Sequence, residues 1–299
     1  MNDRPDERRP GGAGLQPIVV LGEFDGFHLG HRALVDAATR LARRDHRPLV
    51  GVVLNDARGR VITTVDQRCW ALLASGVGSA LVVSLDGDAD ASVSADIVDQ
   101  LVQRVRPAAV VMACLPADAA GARYPSLRVE LARCGVDVVE VERWRNPDGA
   151  VITSAAVRDA LGAGDLARAG DLLGRPFTLT GTVVHGSGLG RTIGFPTANL
   201  DLPPRTLVPR RGVYAAMVDL ADGTRHRAAV NVGVRPTVAA SGVELVEAHL
   251  LDFDADLYDQ QLTVELRRWL RAEQRFDSVD ALVDQLVRDT EHTRLVLRA

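Results

Sequence analysis

The sequence predicts two folds in succession: an α/β domain on a parallel sheet, then an antiparallel β-barrel completed by a C-terminal helix. Three observations carry this. Between residues 18 and 141, short runs apolar on both faces alternate with helical-period segments, as parallel strands covered by helices require. From residue 177, strand-like segments follow one another across Gly/Pro/Asp turns with no long helix between them. The 299 residues exceed what one small core fills, and about one domain per 150 residues gives two.

In chain order, the apolar runs of the first half are 18–21, 49–54, 80–85, 108–113 and 136–141. Helical segments 30–44, 66–75, 94–106 and 126–134 lie between several of them. Two short helical pieces, 154–161 and 165–173, are separated by Gly162-Ala163-Gly164 and read as a bridge between domains. Strands follow at 178–185, 213–220, 226–232, 243–252 and 262–270. Ser278 is placed to cap the last helix, with Leu282, Leu286 and Val287 on one apolar face. The start, MNDRPDERRPGGAG, is charged and Gly/Pro-rich, so residues 1–16 are expected to be a disordered tail rather than a signal peptide. The expected domains are therefore 17–174 and 175–299.

Composition removes several function classes. All 35 Lys+Arg residues are Arg. A chain without lysine has no Schiff-base or pyridoxal-phosphate chemistry and no Walker-type loop ending in G-K-[ST]. Any phosphate must be handled by Arg, backbone N–H groups, hydroxyls, His or a metal. The net charge, 35 − 39 = −4, and 4% aromatic residues argue against a nucleic-acid partner. No apolar run reaches 18 residues, so no membrane span is expected. Cys69, Cys114 and Cys134 are scattered, with no C-x-x-C, and read as buried reduced thiols of a cytoplasmic protein.

The densest motif is His185-Gly186-Ser187-Gly188-Leu189-Gly190-Arg191-Thr192-Ile193-Gly194-Phe195-Pro196-Thr197-Ala198-Asn199. Glycines directly after a strand let backbone N–H groups approach an anion. Glycines alone would equally suit a flexible hairpin loop. A dinucleotide-binding G-x-G-x-x-G must open a helix, which Phe195-Pro196 disfavours. On an extended strand the Thr197 hydroxyl and the Asn199 amide point the same way, and oxygen ligands of that kind suit Mg²⁺.

This stretch resembles the G-x-G-x-G-R-x-x-G-F-P-T-A-N signature of riboflavin kinases, which make FMN from riboflavin and ATP. The resemblance continues through Arg211-Gly212-Val213-Tyr214-Ala215, Asn231-Val232-Gly233-Val234-Arg235-Pro236-Thr237, Val246-Glu247-Ala248-His249-Leu250-Leu251-Asp252-Phe253 and Leu270-Arg271-Ala272-Glu273-Gln274-Arg275-Phe276-Asp277-Ser278. It implies that Thr197 and Asn199 hold Mg²⁺ and the nucleotide phosphates. It also implies ATP contacts from Gly186, Gly188, Gly190, Arg191 and Gly194, in a loop closing over ATP, with ADP as product. By the same resemblance, Glu247 is the base for the riboflavin 5′-hydroxyl, although a lone strand Glu is ordinarily a solvated carboxylate. Arg271 would contact flavin or nucleotide and Glu273 the flavin. Tyr258-Asp259 departs from the family's Tyr-Gly, at a cost of about 1 kcal/mol if that turn needs φ > 0.

After the first strand comes Leu21-Gly22-Glu23-Phe24-Asp25-Gly26-Phe27-His28-Leu29-Gly30-His31. Two imidazoles at a helix start, beside a glycine, make a site for nucleotide phosphates; the plainer reading is a pair of helix-capping histidines. The element resembles the FMN adenylyltransferase module of bacterial bifunctional FAD synthetases, a Rossmann-like nucleotidylyltransferase fold placed before riboflavin kinase. The resemblance implies nucleotide-binding roles for Gly22, Phe24, Asp25, Gly26, His28, Gly30, His31, Ser154 and Arg158. Other parts depart from that module. Glu23 stands where Asn, Ser or Thr is usual, and Val53-Leu54-Asn55-Asp56-Ala57 lacks the F-x-P-H-P histidine. Ala113-Cys114-Leu115-Pro116-Ala117-Asp118-Ala119 lacks the Gly and Phe residues of G-x-D-F-x-F-G. In Ile152-Thr153-Ser154-Ala155-Ala156-Val157-Arg158, Ala155 replaces a hydroxyl.

The expected activity is riboflavin kinase, with ATP as co-substrate and riboflavin and FMN as substrate and product. One alternative is a fully bifunctional enzyme that also makes FAD. Another is a first domain that only binds nucleotide or acts as a scaffold. A flavin carrier without catalysis ranks last. The sequence sets no oligomeric state.

Overall fold

The computed structural model describes residues 15–56, 58–85, 91–114, 126–235 and 243–298. Of the features above, residues 1–14 of the tail, Ala57, Leu115 to Ala119, and Pro236-Thr237 lie outside the described residues.

The first half forms β1 (Ile18–Gly22), α1 (Leu29–Arg44), β2 (Leu49–Asp56), α2 (Val65–Ala74), β3 (Ser79–Leu85), α3 (Ala91–Arg104), β4 (Ala109–Ala113), α4 (Leu127–Arg133) and β5 (Asp137–Val141). All strand pairs are parallel, in the order β3-β2-β1-β4-β5, which reverses between β1 and β4. Burial on both faces holds for β1, β2 and β4, whose residues join Ile97, Leu101, Leu127 and Leu131 of α3 and α4 in one core. It does not hold for β3 and β5, because helices cover the middle of a sheet more fully than its margins.

The second half begins with α5 (Ser154–Ala163) and α6 (Leu166–Leu173). Thr153 and Asp165 cap their N-termini, accepting from the N–H groups of Ala156 and Arg168, and Gly164 and Gly174 end them at positive φ. Then come β6 (Phe177–Val184), α7 (Leu189–Thr192), β7 (Ala198–Asp201), β8 (Gly212–Asp219), β9 (Arg225–Arg235), β10 (Val243–Leu250), β11 (Gln261–Arg271) and α8 (Val279–Val296). The strands close into an antiparallel barrel in the order β10-β7-β6-β11-β8-β9. The four-residue β7, in the proline-led segment after the glycine loop, makes six strands from the five expected. Asp259 does adopt φ +62°. Tyr214 is fully buried, its hydroxyl donates to the Arg210 carbonyl, and burial pushes the phenol up to about 12.

The chain separates into two compact units that interleave in sequence. Of the described residues, one comprises those up to Glu23, those from 33 to 56 and those from 69 to 142; the other comprises Phe24–Arg32, Arg58–Arg68 and those from Arg143 on. In the second unit, Ile62, Val157, Leu161, Leu172 and Leu173 share one core with Phe177, Tyr214, Val230 and Val264 of the barrel. The 58–68 segment is held there by a Val61–Thr206 bridge, by Arg205 donating to the Gly59 carbonyl (2.7 Å) and by an Arg60–Glu244 ion pair.

Two expectations need correction. On α8, Ser278 caps as expected, but Val287 is exposed and the buried residues are Asp289, Thr290 and Thr293. The apolar stripe misleads because Asp289 is drawn inward by Arg271. None of the three cysteines is in a disulfide, and none is buried: Cys69 and Cys114 are half-buried and Cys134 is exposed, because it sits at the C-terminal cap of α4.

Candidate functional site

In the barrel, Glu247 of β10 stands in register between two amides, Asn199 of β7 and Asn231 of β9. Opposed residues of an antiparallel ladder share a face. All three line one cavity of about 420 Å³, together with Thr197 two residues before Asn199. Register across three strands, with alternation in the segment leading into β7, is thus what gathers these side chains.

The glycine loop forms another wall. Gly186, Gly188, Gly190 and Arg191 line the cavity; Gly194 lies outside the lining and turns the chain at φ +85°. Gly188, at φ +76°, starts the single turn of α7, and the Phe195 N–H donates back to the Gly190 carbonyl (2.8 Å). A Cβ on Gly186 would lie 2.6 Å from the Asn199 amide oxygen. One on Gly190 would lie 3.3 Å from the Thr197 hydroxyl and collide with the Phe195 carbonyl. The glycines therefore let the loop backbone pack directly against both candidate ligands. A hydroxyl and a carboxamide oxygen beside a carboxylate form a hard oxygen set that fits Mg²⁺, which keeps waters and shares phosphate oxygens. Among the described residues, no group of three or more His, Cys, Asp or Glu is placed to hold a metal ion.

Arg271 and Glu273 also line the cavity. The Arg271 guanidinium is gripped by Asp289 of α8 (Nε–Oδ1 2.9 Å, Nη2–Oδ2 2.7 Å), and Gln285 donates to the same carboxylate (2.9 Å). The Glu273 carboxylate lies against Gly233, whose missing Cβ makes room for it. Sequence reasoning did not mark Asn231, His249 or Tyr258, which line the same cavity. A signal for the first two was present, since alternation puts Asn231 and His249 within the quoted motifs on the cavity face.

The second constellation gathers around Asp25, which is 1% exposed. Its Oδ1 accepts from the N–H groups of Ile62 (2.9 Å) and Thr63 (3.0 Å) and from Arg68 (3.0 Å), and its Oδ2 from Arg158. The Ser154 hydroxyl donates to the Asp25 carbonyl (2.9 Å), and Arg175 donates to the Gly26 carbonyl (3.0 Å). The structure thus brings Asp25, Gly26, Ser154 and Arg158 together. Phe24 (φ +52°), Gly26 (φ +80°) and Phe27 (φ +42°) all occupy left-handed backbone, a strained run that this network holds in place.

The His28 ring stacks on His31, with centroids 3.7 Å apart, and its Nδ1 accepts from the His31 N–H (3.2 Å), so His28 caps α1. Gly30 permits this, since a Cβ there would crowd the His28 ring at 3.0 Å. Burial lowers the His28 pKa to about 4, against the opposing pull of Asp25, and burial lowers His31 well below its ordinary value. Both imidazoles are therefore neutral at pH 7. The Nδ1 of His31 is buried with no hydrogen-bond partner among the described residues. Gly22 ends β1 and belongs to the other compact unit.

Two family models match the chain. A riboflavin kinase family model matches residues 173–297, and an FAD synthetase family model matches residues 15–114. The bifunctional riboflavin kinase/FMN adenylyltransferase of Escherichia coli (strain K12) is 36% identical, over 91% of this chain and 90% of that protein. Its Pseudomonas fluorescens counterpart is 33% identical, over 93% and 92%. A crystal structure titled as a macrolide-efflux protein from Streptococcus pneumoniae shares 30% identity and a TM-score of 0.77, over 95% of both chains. Among the described residues, no helix is long and apolar enough to cross a membrane.

A parallel α/β sheet module followed by a glycine-looped barrel module defines a two-module, ATP-using transferase of flavin nucleotide synthesis. The chain belongs to the bifunctional riboflavin kinase/FMN adenylyltransferase family.

Proposed function

We propose that the barrel, within a kinase domain of 175–299, transfers the γ-phosphoryl group of ATP to the 5′-hydroxyl of riboflavin. The observation that carries this is the placing of Glu247, Thr197 and Asn199 along one cavity, with the glycine loop packed directly against the last two. Glu247 takes the hydroxyl proton as the oxygen attacks phosphorus. The new O–P bond forms while the bond to the β,γ-bridging oxygen breaks, giving FMN and ADP. Loop N–H groups and Arg191 hold the phosphates, and positioning with charge neutralisation supplies most of the acceleration. Thr197 and Asn199 would hold Mg²⁺, which when bound neutralises phosphate charge. Arg271 and Glu273 orient the flavin. The test is the product profile from riboflavin and ATP–Mg²⁺: FMN is expected from the native protein and not from Glu247→Gln or Thr197→Ala. Absence of FMN with the native protein would overturn the reading.

A second reading extends the activity. FMN and ATP would give FAD and pyrophosphate in a domain of 17–174, with Gly22, Phe24, Asp25, Gly26, His28, Gly30, His31, Ser154 and Arg158 as its nucleotide-binding set. The clamp around Asp25 and the His28–His31 stack favour it. The departures at Glu23, at the histidine missing from 53–57 and at Ala155 favour a domain that binds nucleotide without turning it over. FAD from FMN and ATP, lost in His28→Ala and His31→Ala, decides for catalysis; tight binding without product decides for sensing. That none of Cys69, Cys114 and Cys134 is in a disulfide supports a cytoplasmic setting.

A further inference from the structure

We infer that His249 is a positioning residue of the kinase site, acting through Pro196 to hold Thr197 and the glycine loop at a set distance from Glu247. The inference rests on the riboflavin kinase reading of the barrel. Its observation is a side-chain hydrogen bond where strand pairing stops. β10 pairs with β7 through Val246–Leu200, Glu247–Asn199 and Ala248–Ala198, and Ala198 is the first residue of β7. The next residue of β10 is His249, whose Nδ1 lies 2.8 Å from the Pro196 carbonyl oxygen. A proline offers no N–H to a ladder. The imidazole thus supplies the tie to the incoming segment at the point where the backbone stops doing so.

The chemistry of that contact is directional. A carbonyl oxygen only accepts, so the Nδ1 must carry the hydrogen, and the neutral ring is the Nδ1–H tautomer. The Phe195 ring rests against His249 with centroids 5.3 Å apart, and the Phe195 N–H donates to the Gly190 carbonyl (2.8 Å). Two successive residues therefore carry the connection from strand to loop. Pro196 is tied to β10 through His249, and Phe195 ties the loop turn to the same segment. Glu247 and His249 are two residues apart, so they share a face of β10, and both line the cavity. One strand would thus set the base at one end of the reacting geometry and the phosphate-facing hydroxyl at the other. Nothing in this arrangement requires His249 to touch the substrate.

The test uses the full chain with three substitutions. His249→Phe keeps a ring against Phe195 but has no N–H. His249→Ala removes both, and His249→Asn restores an N–H donor near the Nδ1 position. The phenylalanine and alanine variants are expected to lose roughly 10- to 100-fold in kcat/KM for ATP and to need more Mg²⁺, with the KM for riboflavin unchanged. The asparagine variant is expected to recover to within a small factor of the native enzyme, and all three to melt within about 4 °C of it. A phenylalanine variant matching the native enzyme would overturn the inference, as would an asparagine variant that folds but does no better than phenylalanine. A measurement independent of any variant's folding is ¹⁵N NMR of histidine-labelled native protein above pH 8. The Nδ1–H tautomer is expected at His249, and the Nε2–H tautomer would rule the contact out. If the native protein makes no FMN, the kinase reading fails while the tautomer result still stands on its own.

Discussion

Asp25 shows how far a single carboxylate can be committed to structure inside a motif that reads as a ligand site. Its oxygens accept from two backbone N–H groups and two arginines, one of which, Arg68, is 3% exposed. Removing one partner of a buried pair leaves the other charge uncompensated. Asp25→Asn is therefore expected to lower stability by about 3–5 kcal/mol in urea unfolding. His28 titrates in the same pocket, facing Asp25, His31 and Arg158, with Arg68 beside His31. Its folded pKa of about 4 lies below the unfolded value of 6.5, so the unfolded chain binds that proton more tightly. Its contribution to stability is complete above pH 6.5, falls between pH 6.5 and about 4, and changes no further below that. His28→Gln should flatten that part of the pH–stability curve. In the barrel, Gly186→Ala pushes a methyl group into the Asn199 amide. It should lower kinase kcat/KM by roughly 10- to 100-fold while leaving far-UV circular dichroism unchanged.

Among the elements, α8 departs most from its sequence pattern. Leu282 and Leu286 do line the cavity, but the buried positions further along are Asp289, Thr290 and Thr293. The helix is held by the Arg271–Asp289 pair, whose side chains are 17% and 6% exposed. Asp289→Leu should destabilise by about 3 kcal/mol because it strands Arg271. The double variant Arg271→Leu/Asp289→Leu should regain much of that in a thermodynamic cycle, since a well-packed apolar pair can replace a buried ion pair. Riboflavin affinity should stay low in the double variant if Arg271 also orients the flavin. Stability and binding would then separate in one experiment.

For the whole molecule, the interleaving of the two compact units matters more than the count of domains. The H-x-G-H start, residues Phe24–Arg32, is grouped with the barrel, as is the 58–68 segment that donates to Asp25. α5 and α6 contribute Val157, Leu161, Leu172 and Leu173 to the barrel's core. A fragment of 143–299 is therefore expected to melt well above one of 175–299, since each fully buried Leu or Val contributes about 1.5–3 kcal/mol. Equal melting temperatures would place the functional boundary at 174/175 after all.

What the sequence alone determined is what period and local chemistry encode. Alternation and helical period placed the strands and helices other than α7 and β7 within a few residues, and turn residues marked their ends. Strand spacing picked out Thr197 and Asn199, because residues two apart share a strand face whatever the strand later packs against, whereas Glu247 was marked only by the resemblance to riboflavin kinases. Only the tertiary structure decided the rest. Which strand lies beside β10, and hence that Asn231 and His249 share the cavity, depends on pairings between residues far apart in sequence. The inward turn of Asp289 depends on an arginine 18 positions earlier, and the fate of Asp25 on donors 37 to 133 positions away. Polar burial is decided by the partner that meets the charge, and a partner brought in by folding leaves no period in the sequence.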